Sequence, residues 1–356
     1  MNGDLKSRLG KIVHYKLFLP LFCLFLVLMV NVITTPDFFH VEIRNGVLYG
    51  RPVDIINRAS ELVILAVGMT LVVAASAGTD ISVGAVMAVT AAVTTFFLSG
   101  GEISVNEYQF PLFLAILLGI GAGALCGAWN GFLVAKMRIQ PMVATLILYT
   151  AGRGIAQLIT KGQITYIRVD SYQYIGNFLP GVPIPTPVFI SIAVVILVQL
   201  FVKKTAFGLF VESVGVNKEA SKHVGLKSVM IIFATYVFCG VLSGIAGIVA
   251  SSRIYSADAN NIGLNLELDA ILAVALGGNS LGGGRFSILG SIIGAYTIQA
   301  LTTTLYAIGV SADQIPVYKA IVVVIIVSLQ SPEFQRYVRK FRKKLEAKKA
   351  IGEVTA

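Results

Sequence analysis

Apolar positions in this chain neither alternate nor mark a single helical stripe; they form long, nearly unbroken runs. Leu17–Ile33, Leu62–Ala77, Pro111–Ala135, Val188–Val202, Met230–Ala250 and Ile315–Leu329 are the clearest. A bilayer core is crossed by roughly 20 apolar residues in a helix, so each run reads as a membrane span. Including shorter apolar stretches, the pattern predicts about ten helices, at 17–34, 61–78, 82–99, 111–135, 141–160, 187–202, 229–251, 268–280, 286–308 and 315–331. No small-residue cleavage pattern follows the first run, which therefore reads as a span and not a signal peptide. The expected fold is all-α and polytopic, with broken or re-entrant segments. One membrane domain at 17–331 lies between a short N-terminus at 1–16 and a tail at 332–356.

Composition agrees with this reading. Hydrophobic residues make up 56% of the chain and charged ones 13%, too little polar surface for a water-soluble protein of this length. The net charge of +10 would suit a nucleic-acid partner, but its placement argues against one. Lys6, Arg8, Lys11 and Lys16 precede the first span, and Arg336, Arg339, Lys340, Arg342, Lys343 and Lys344 follow the last. Basic clusters beside spans hold loops on the cytoplasmic side and attract anionic lipid. No aromatic-interleaved basic groove accompanies them.

Basic termini place both ends in the cytoplasm and make the span count even. The segment Gly100–Phe110 should then be outside, and it carries Glu102 and Glu107 without Lys or Arg. The link after the fourth span should be inside, and it carries Lys136 and Arg138. So should Lys203–Ser228, with Lys203, Lys204, Lys218, Lys222 and Lys227. The expected location is a bacterial inner membrane.

Within the fourth span Gly119, Gly123, Gly127 and Gly131 recur every four residues, placing one bare face against another helix. Gly240 with Gly244, and Gly290 with Gly294, repeat the device. Cys23, Cys126 and Cys239 lie inside spans without metal-ligand spacing and read as small packing residues.

Catalytic chemistry is sparse. His14, His40 and His223 stand beside no nucleophile or ligand pair. A Gly-x-Ser-x-Gly occurs at Gly278–Gly282, but between apolar spans and not on a strand-to-helix elbow. The Gly277–Gly284 run (GGNSLGGG) is followed by Arg285-Phe286 where a phosphate loop needs Lys-Ser/Thr. If ATP drives this protein, a partner binds it; no cofactor is expected on the chain itself. A membrane enzyme has little support here.

Polar groups at membrane depth are costly and mark candidate solute contacts. Gly78–Gly84, with Asp80 and Ser82, is either a broken helix lining a path or a tight surface turn. Asp258, Asn260, Asn261 and Glu267 precede the eighth span and Asp269 lies at its start, again as path lining or as a surface loop. Arg153, in the fifth span, reads as a structural partner for a carboxylate more than as a ligand contact. Carboxylates, amides and hydroxyls are the groups that bind sugar hydroxyls. An alternative, a secondary transporter or channel acting alone, would use Asp80 and Arg153 as an ion relay.

The link Lys203–Ser228 is too polar to span and is patterned as a short amphipathic helix, with Val211, Val214, Ala220 and Val224 against Glu212, Lys218, Glu219 and Lys222. Such a helix lies on lipid or fits a groove on a cytosolic partner.

Four ordered blocks carry a resemblance: Gly68–Ala88, Ala128–Ile159, Lys204–Leu226 and Ser256–Ala295. Through them the chain, from about Asp54 to Ser331, resembles the permeases of the ribose, xylose and galactofuranose class of ABC sugar importers. Arg51–Ala59 and the AGRGIAQLIT segment look most like the galactofuranose-type subgroup. Family members usually carry Gly-Gly-Ile-Asp-Leu-Ser-Val-Gly in the first block; here Ala77, Thr79 and Ile81 depart from it while Asp80 and Ser82 remain. The resemblance implies a monosaccharide permease working as a homodimer or with a related permease. Two cytosolic ATPase subunits and a periplasmic sugar-binding protein would complete the importer. It makes Lys203–Ser228 a coupling helix, with Glu212, Gly215, Asn217 and Ala220 expected to dock on the ATPase.

Overall fold

The computed structural model describes residues 17–44 and 46–330; the basic clusters at 1–16 and 332–356 lie outside them. Helix α1 is Phe18–Thr34, and the hairpin β1–β2 (Glu42–Arg44 and Val47–Tyr49) connects it to α2, Arg51–Ser76. Pro52 in the first turn of α2 costs no hydrogen bond there, because that amide has no intrahelical partner. Gly50, at φ +148°, sets the sharp entry, since a side chain there would strike the His40 carbonyl.

The chain continues through α3 (Val83–Ser99), β3 (Ser104–Val105) and α4 (Leu112–Gly131), which ends in a single π turn at Phe132–Lys136. Then come α5 (Pro141–Ile159), β4 (Thr165–Ile167), α6 (Asp170–Gly176) and α7 (Thr186–Lys204). Two short helices, α8 (Phe207–Val216) and α9 (Lys218–His223), precede α10 (Ser228–Arg253) and β5 (Ser256–Ala257). The half-length α11 (Leu266–Leu276), α12 (Ile288–Ala307) and α13 (Ile315–Gln330) complete it. All three strands β3–β4–β5 pair at one end of the bundle, parallel then antiparallel. The α8–α9 pair occupies the other end.

Six helices among the described residues are long and apolar enough to cross a membrane: α2, α4 with its π turn, α5, α7, α10 and α12. The remaining four expected spans are present as shorter helices, α1, α3, α11 and α13. Of these, α11 has only 11 residues and cannot cross alone. The second span also begins eleven residues earlier than its apolar run at Leu62, because Arg51, Asp54, Arg58 and Glu61 are helical too.

Burial separates the centre from the periphery. In the most apolar stretch of α2, 89% of residues are buried, whereas α4 buries 22% of its own. Helix α2 is the axis, packed by α7, α10, α11 and α12. The Gly face of α4 meets α10 backbone to backbone: a Cβ on Gly127 would strike the Tyr236 carbonyl, and one on Gly123 would meet Gly240 and Gly244. The other face of α4, with Phe113, Leu117, Leu125 and Trp129, is exposed, as a lipid-facing surface should be.

Candidate functional site

Helix α2 stops at Ala77, whose φ of +54° is left-handed, and the chain turns back into the bundle. The Asp80 amide donates to Met69 Sδ at 3.4 Å, which seats the segment beside α2 about two turns above the helix end. Asp80 and Ser82 are buried. The Ser82 amide and Oγ both donate to Asp80 Oδ1, at 2.9 and 2.6 Å. Asn130 Nδ2 of α4 donates to Ser82 Oγ at 2.8 Å and faces both Asp80 oxygens at 3.4 Å. Thr145 Oγ1 of α5 accepts from the Ile81 amide at 3.1 Å. The break is buried within the bundle, beside the last turns of α2. Contrary to expectation, its carboxylate and hydroxyl face each other and not an open path in this conformation, because nearby donors fill the acceptors.

A second polar group lies one helix turn onward. Gly84 at the start of α3 lies against Gly263, so close that a Cβ on either would strike the other's backbone. Glu267, in the first turn of α11, is also buried, and Gly84 leaves the space that its Oε2 occupies. That oxygen has no hydrogen-bond partner among the described residues. Arg153 Nη1 of α5 donates to the carbonyls of Ala259, Asn260 and Ile262, at 3.1, 3.3 and 2.5 Å, while its Nη2 has no partner among the described residues. The guanidinium therefore clamps the backbone of the 258–263 loop; the expectation of a carboxylate-bound arginine is corrected to a carbonyl-bound one. Glu267 stands within electrostatic reach of it.

The loop is folded on itself: Asp258 accepts from the amides of Asn260 and Asn261 at 3.0 and 3.2 Å and from Asn261 Nδ2 at 2.6 Å. Gln157 Nε2 of α5 donates to Asn260 Oδ1. Asn260, Asn261, Asn265, Thr150 and Gln157 are exposed along one side of α5 and the loop. They form an amide-rich band on an otherwise apolar surface, and any part of it at membrane depth requires water or another protein beside it. Asp269 does not join it. Two residues along the helix from Glu267, it points the opposite way and pairs with Lys319 Nζ of α13 at 2.8 and 3.0 Å.

At the far end, α8 buries Gly208, Val211 and Val214 and exposes Leu209 and Val216. Asn217 caps α9 by accepting from the Ala220 amide at 2.9 Å. Lys222, hydrogen-bonded to Glu219 at 2.6 Å, holds that carboxyl below its usual range. Glu212 lies between two grooves of about 440 and 400 Å3. The first runs along Lys203, Leu209 and Phe286, the second along Val216, Ala220, Val224 and Arg285.

Gly215, expected on the same outer surface, turns inward. A Cβ there would overlap the Ala74 carbonyl of α2 and crowd the Gly284 amide, which itself donates to Ala74 O at 2.9 Å. The Gly-rich turn after α11 is stapled by the buried Asn279. Its Oδ1 accepts from the Ser287 amide at 2.6 Å, and its Nδ2 donates to Ser291 Oγ at 2.8 Å. Ser291 in turn meets Thr70 of α2 at 2.6 Å.

Asn130, Thr145, Gln157 and Asn279 carry much of this geometry and were not singled out from the sequence. The available signal was an amide inside an apolar run, masked at Asn130 by the Gly spacing and at Asn279 by the glycine-rich turn.

The family described as branched-chain amino acid transport system / permease component matches residues 51–329. The galactofuranose transporter permease protein YtfT of Escherichia coli strain K12 is 45% identical over 326 residues, covering 90% of this chain and 92% of that protein. The fructose import permease protein FruF of Bifidobacterium longum is 37% identical, covering 88% and 86%. The ribose import permease protein RbsC of Escherichia coli strain K12 is 34% identical, covering 85% and 90%.

Proposed function

Because the chain belongs to the family of branched-chain amino acid transport system permease components, we propose that it is the membrane permease of an ATP-driven monosaccharide importer. Its relatives of known name carry galactofuranose, fructose and ribose, so a pentose or hexose is the solute, and galactofuranose is the first to test. ATP is bound and hydrolysed by cytosolic partner subunits, and a binding protein delivers the sugar from outside. The α8–α9 end and both termini then face the cytoplasm, and the strand end faces out, in agreement with the charge of the loops.

The observation that carries the coupling is the position of α8. Its outer side presents Leu209, Glu212 and Val216 to two grooves, while Gly215 on its inner side touches both the end of α2 and the turn that closes α11. A push on α8 therefore reaches two elements directly. One leads through Ala77 into the Asp80 helix break, the other through Gly284 to the half-helix bearing Glu267. The path itself runs beside the amide band of α5 and the 258–265 loop, completed by a second permease copy or a related one. Asn260, Asn261 and Gln157 offer weak hydrogen bonds to sugar hydroxyls there. Asp80, Ser82, Asn130 and Arg153 hold the path's backbone in place.

Reconstitution tests this. Liposomes holding the chain with its ATPase and binding protein should accumulate labelled sugar only with ATP. Uptake by the chain alone, driven by a proton or sodium gradient, would overturn the proposal in favour of a secondary transporter.

A further inference from the structure

A cavity of about 640 Å3 opens among α2, α11, α12 and α13, on the side of α11 away from the amide band. It lies within the roughly 300–1,000 Å3 typical of small-molecule sites. Two polar stripes face each other across it. From α2 come Arg51, Asp54, Arg58 and Glu61, spaced to share one helix face. From α12 come Gln299, Thr302, Thr303 and Tyr306, also on one face. The turn of α11 that bears Leu266 and Asp269 forms the wall towards the amide band. Nothing in the translocation scheme above uses this cavity.

Its chemistry selects a ligand class. Two ion pairs brace it: Glu61 with Arg253 at 3.1 Å, and Asp269 with Lys319 at 2.8 Å. Arg253 is held further by Asn57, whose carbonyl and Oδ1 each accept from it at 3.1 Å. The bracing leaves capacity open. Glu61 is 91% buried, and its Oε1 meets Arg253 at an angle too poor for a hydrogen bond; Arg51 Nη1 is likewise enclosed without a partner among the described residues.

The lining has four cationic and three anionic side chains, interleaved with hydroxyls and an amide. An anion would meet three carboxylates and a cation four basic groups. A neutral polyhydroxylated solute, whose every hydroxyl both donates and accepts, matches such a mixture. Tyr306, 56% exposed at the rim, supplies a face for the apolar side of a ring.

We propose that this cavity is a monosaccharide-binding site contained within one permease chain, separate from the path beside α5. The choice of sugar rests on the importer reading; the mixed lining is independent of it. The test is saturation-transfer NMR on the intact chain in nanodiscs, with ribose, fructose and galactose at millimolar concentration and inorganic phosphate as the charged competitor.

Saturation should pass from the wild-type chain to at least one sugar and persist in phosphate. Gln299→Leu combined with Thr303→Val should weaken it about tenfold, the scale of a lost hydrogen bond or two. Tyr306→Ala, at the rim, should weaken it as well, and decides the matter should the double variant fail to fold. Leu125→Ala, on the exposed face of α4, should leave it unchanged. No transfer to any sugar, transfer unaffected by the cavity variants, or displacement by phosphate would overturn the proposal. ATP-driven uptake in the reconstituted importer, measured separately, shows whether such a failure reaches the importer reading or stops at the cavity.

Discussion

Ala77 and Asp80 show how much a single position decides here. Ala77 sits at φ +54°, where a Cβ costs about 1–2 kcal/mol, while glycine would return roughly half of that as extra chain entropy. Ala77→Gly should therefore raise the midpoint of thermal unfolding in detergent slightly, by a degree or two. Asp80→Ala has the opposite sign. It leaves the Ser82 amide and hydroxyl buried without their acceptor, at about 1–3 kcal/mol each. Uptake and melting temperature should fall together. Loss of uptake with unchanged melting would instead make Asp80 a solute contact. The type of residue was legible in the sequence, since a carboxylate in an apolar run must be satisfied. Its partner Asn130 was not, because that residue comes from a helix 50 residues away, and Thr145, which holds the neighbouring Ile81 amide, lies 64 residues beyond it.

Among the elements, the α4–α10 seam and α8 make separable predictions. Gly127→Val would drive a branched side chain into the Tyr236 carbonyl and the Val237 and Gly240 backbones. Overpacking of this kind costs about 1–3 kcal/mol, so melting temperature and membrane yield should both drop. On α8 two substitutions six residues apart should fail differently. Leu209→Asp alters only an exposed position, so the permease should melt normally and lose its stimulation of the ATPase partner. Gly215→Ala pushes against Ala74 and Gly284 within the bundle and should lower the melting temperature as well. Equal melting for both would place Gly215 on the outer surface after all. The four-residue glycine period was readable because it is local and periodic. Which side of α8 Gly215 faces was not, because all amphipathic helices of that pattern look alike until their packing partner is known.

For the whole molecule, the amide band is the surface that a lone copy cannot place in lipid. Gly154 of α5 has open space at its Cβ and lies on the same helix. In a background lacking Cys23, Cys126 and Cys239, Gly154→Cys should cross-link two permease copies with a short bifunctional reagent. Phe113→Cys on the exposed face of α4 should stay monomeric on denaturing gels. The reverse pattern would move the interface to α4 and the path away from α5.

Hydrophobic run length and loop charge are local quantities, summed along the chain, and so a polytopic helical membrane protein with ten apolar helical segments was legible in them; the link 203–228 forms two short helices and not one, with Ala220 and Val224 exposed. Closure of the Asp80 network, the turn of Arg153 towards three carbonyls and the opposite directions of Glu267 and Asp269 depend on contacts between distant segments. They follow from how the helices pack, as where α3 meets the loop before α11 at Gly84 and Gly263 and missing side chains let the backbones touch. Contacts between distant segments set them, because a glycine in the sequence states that an approach is permitted and not which segment makes it.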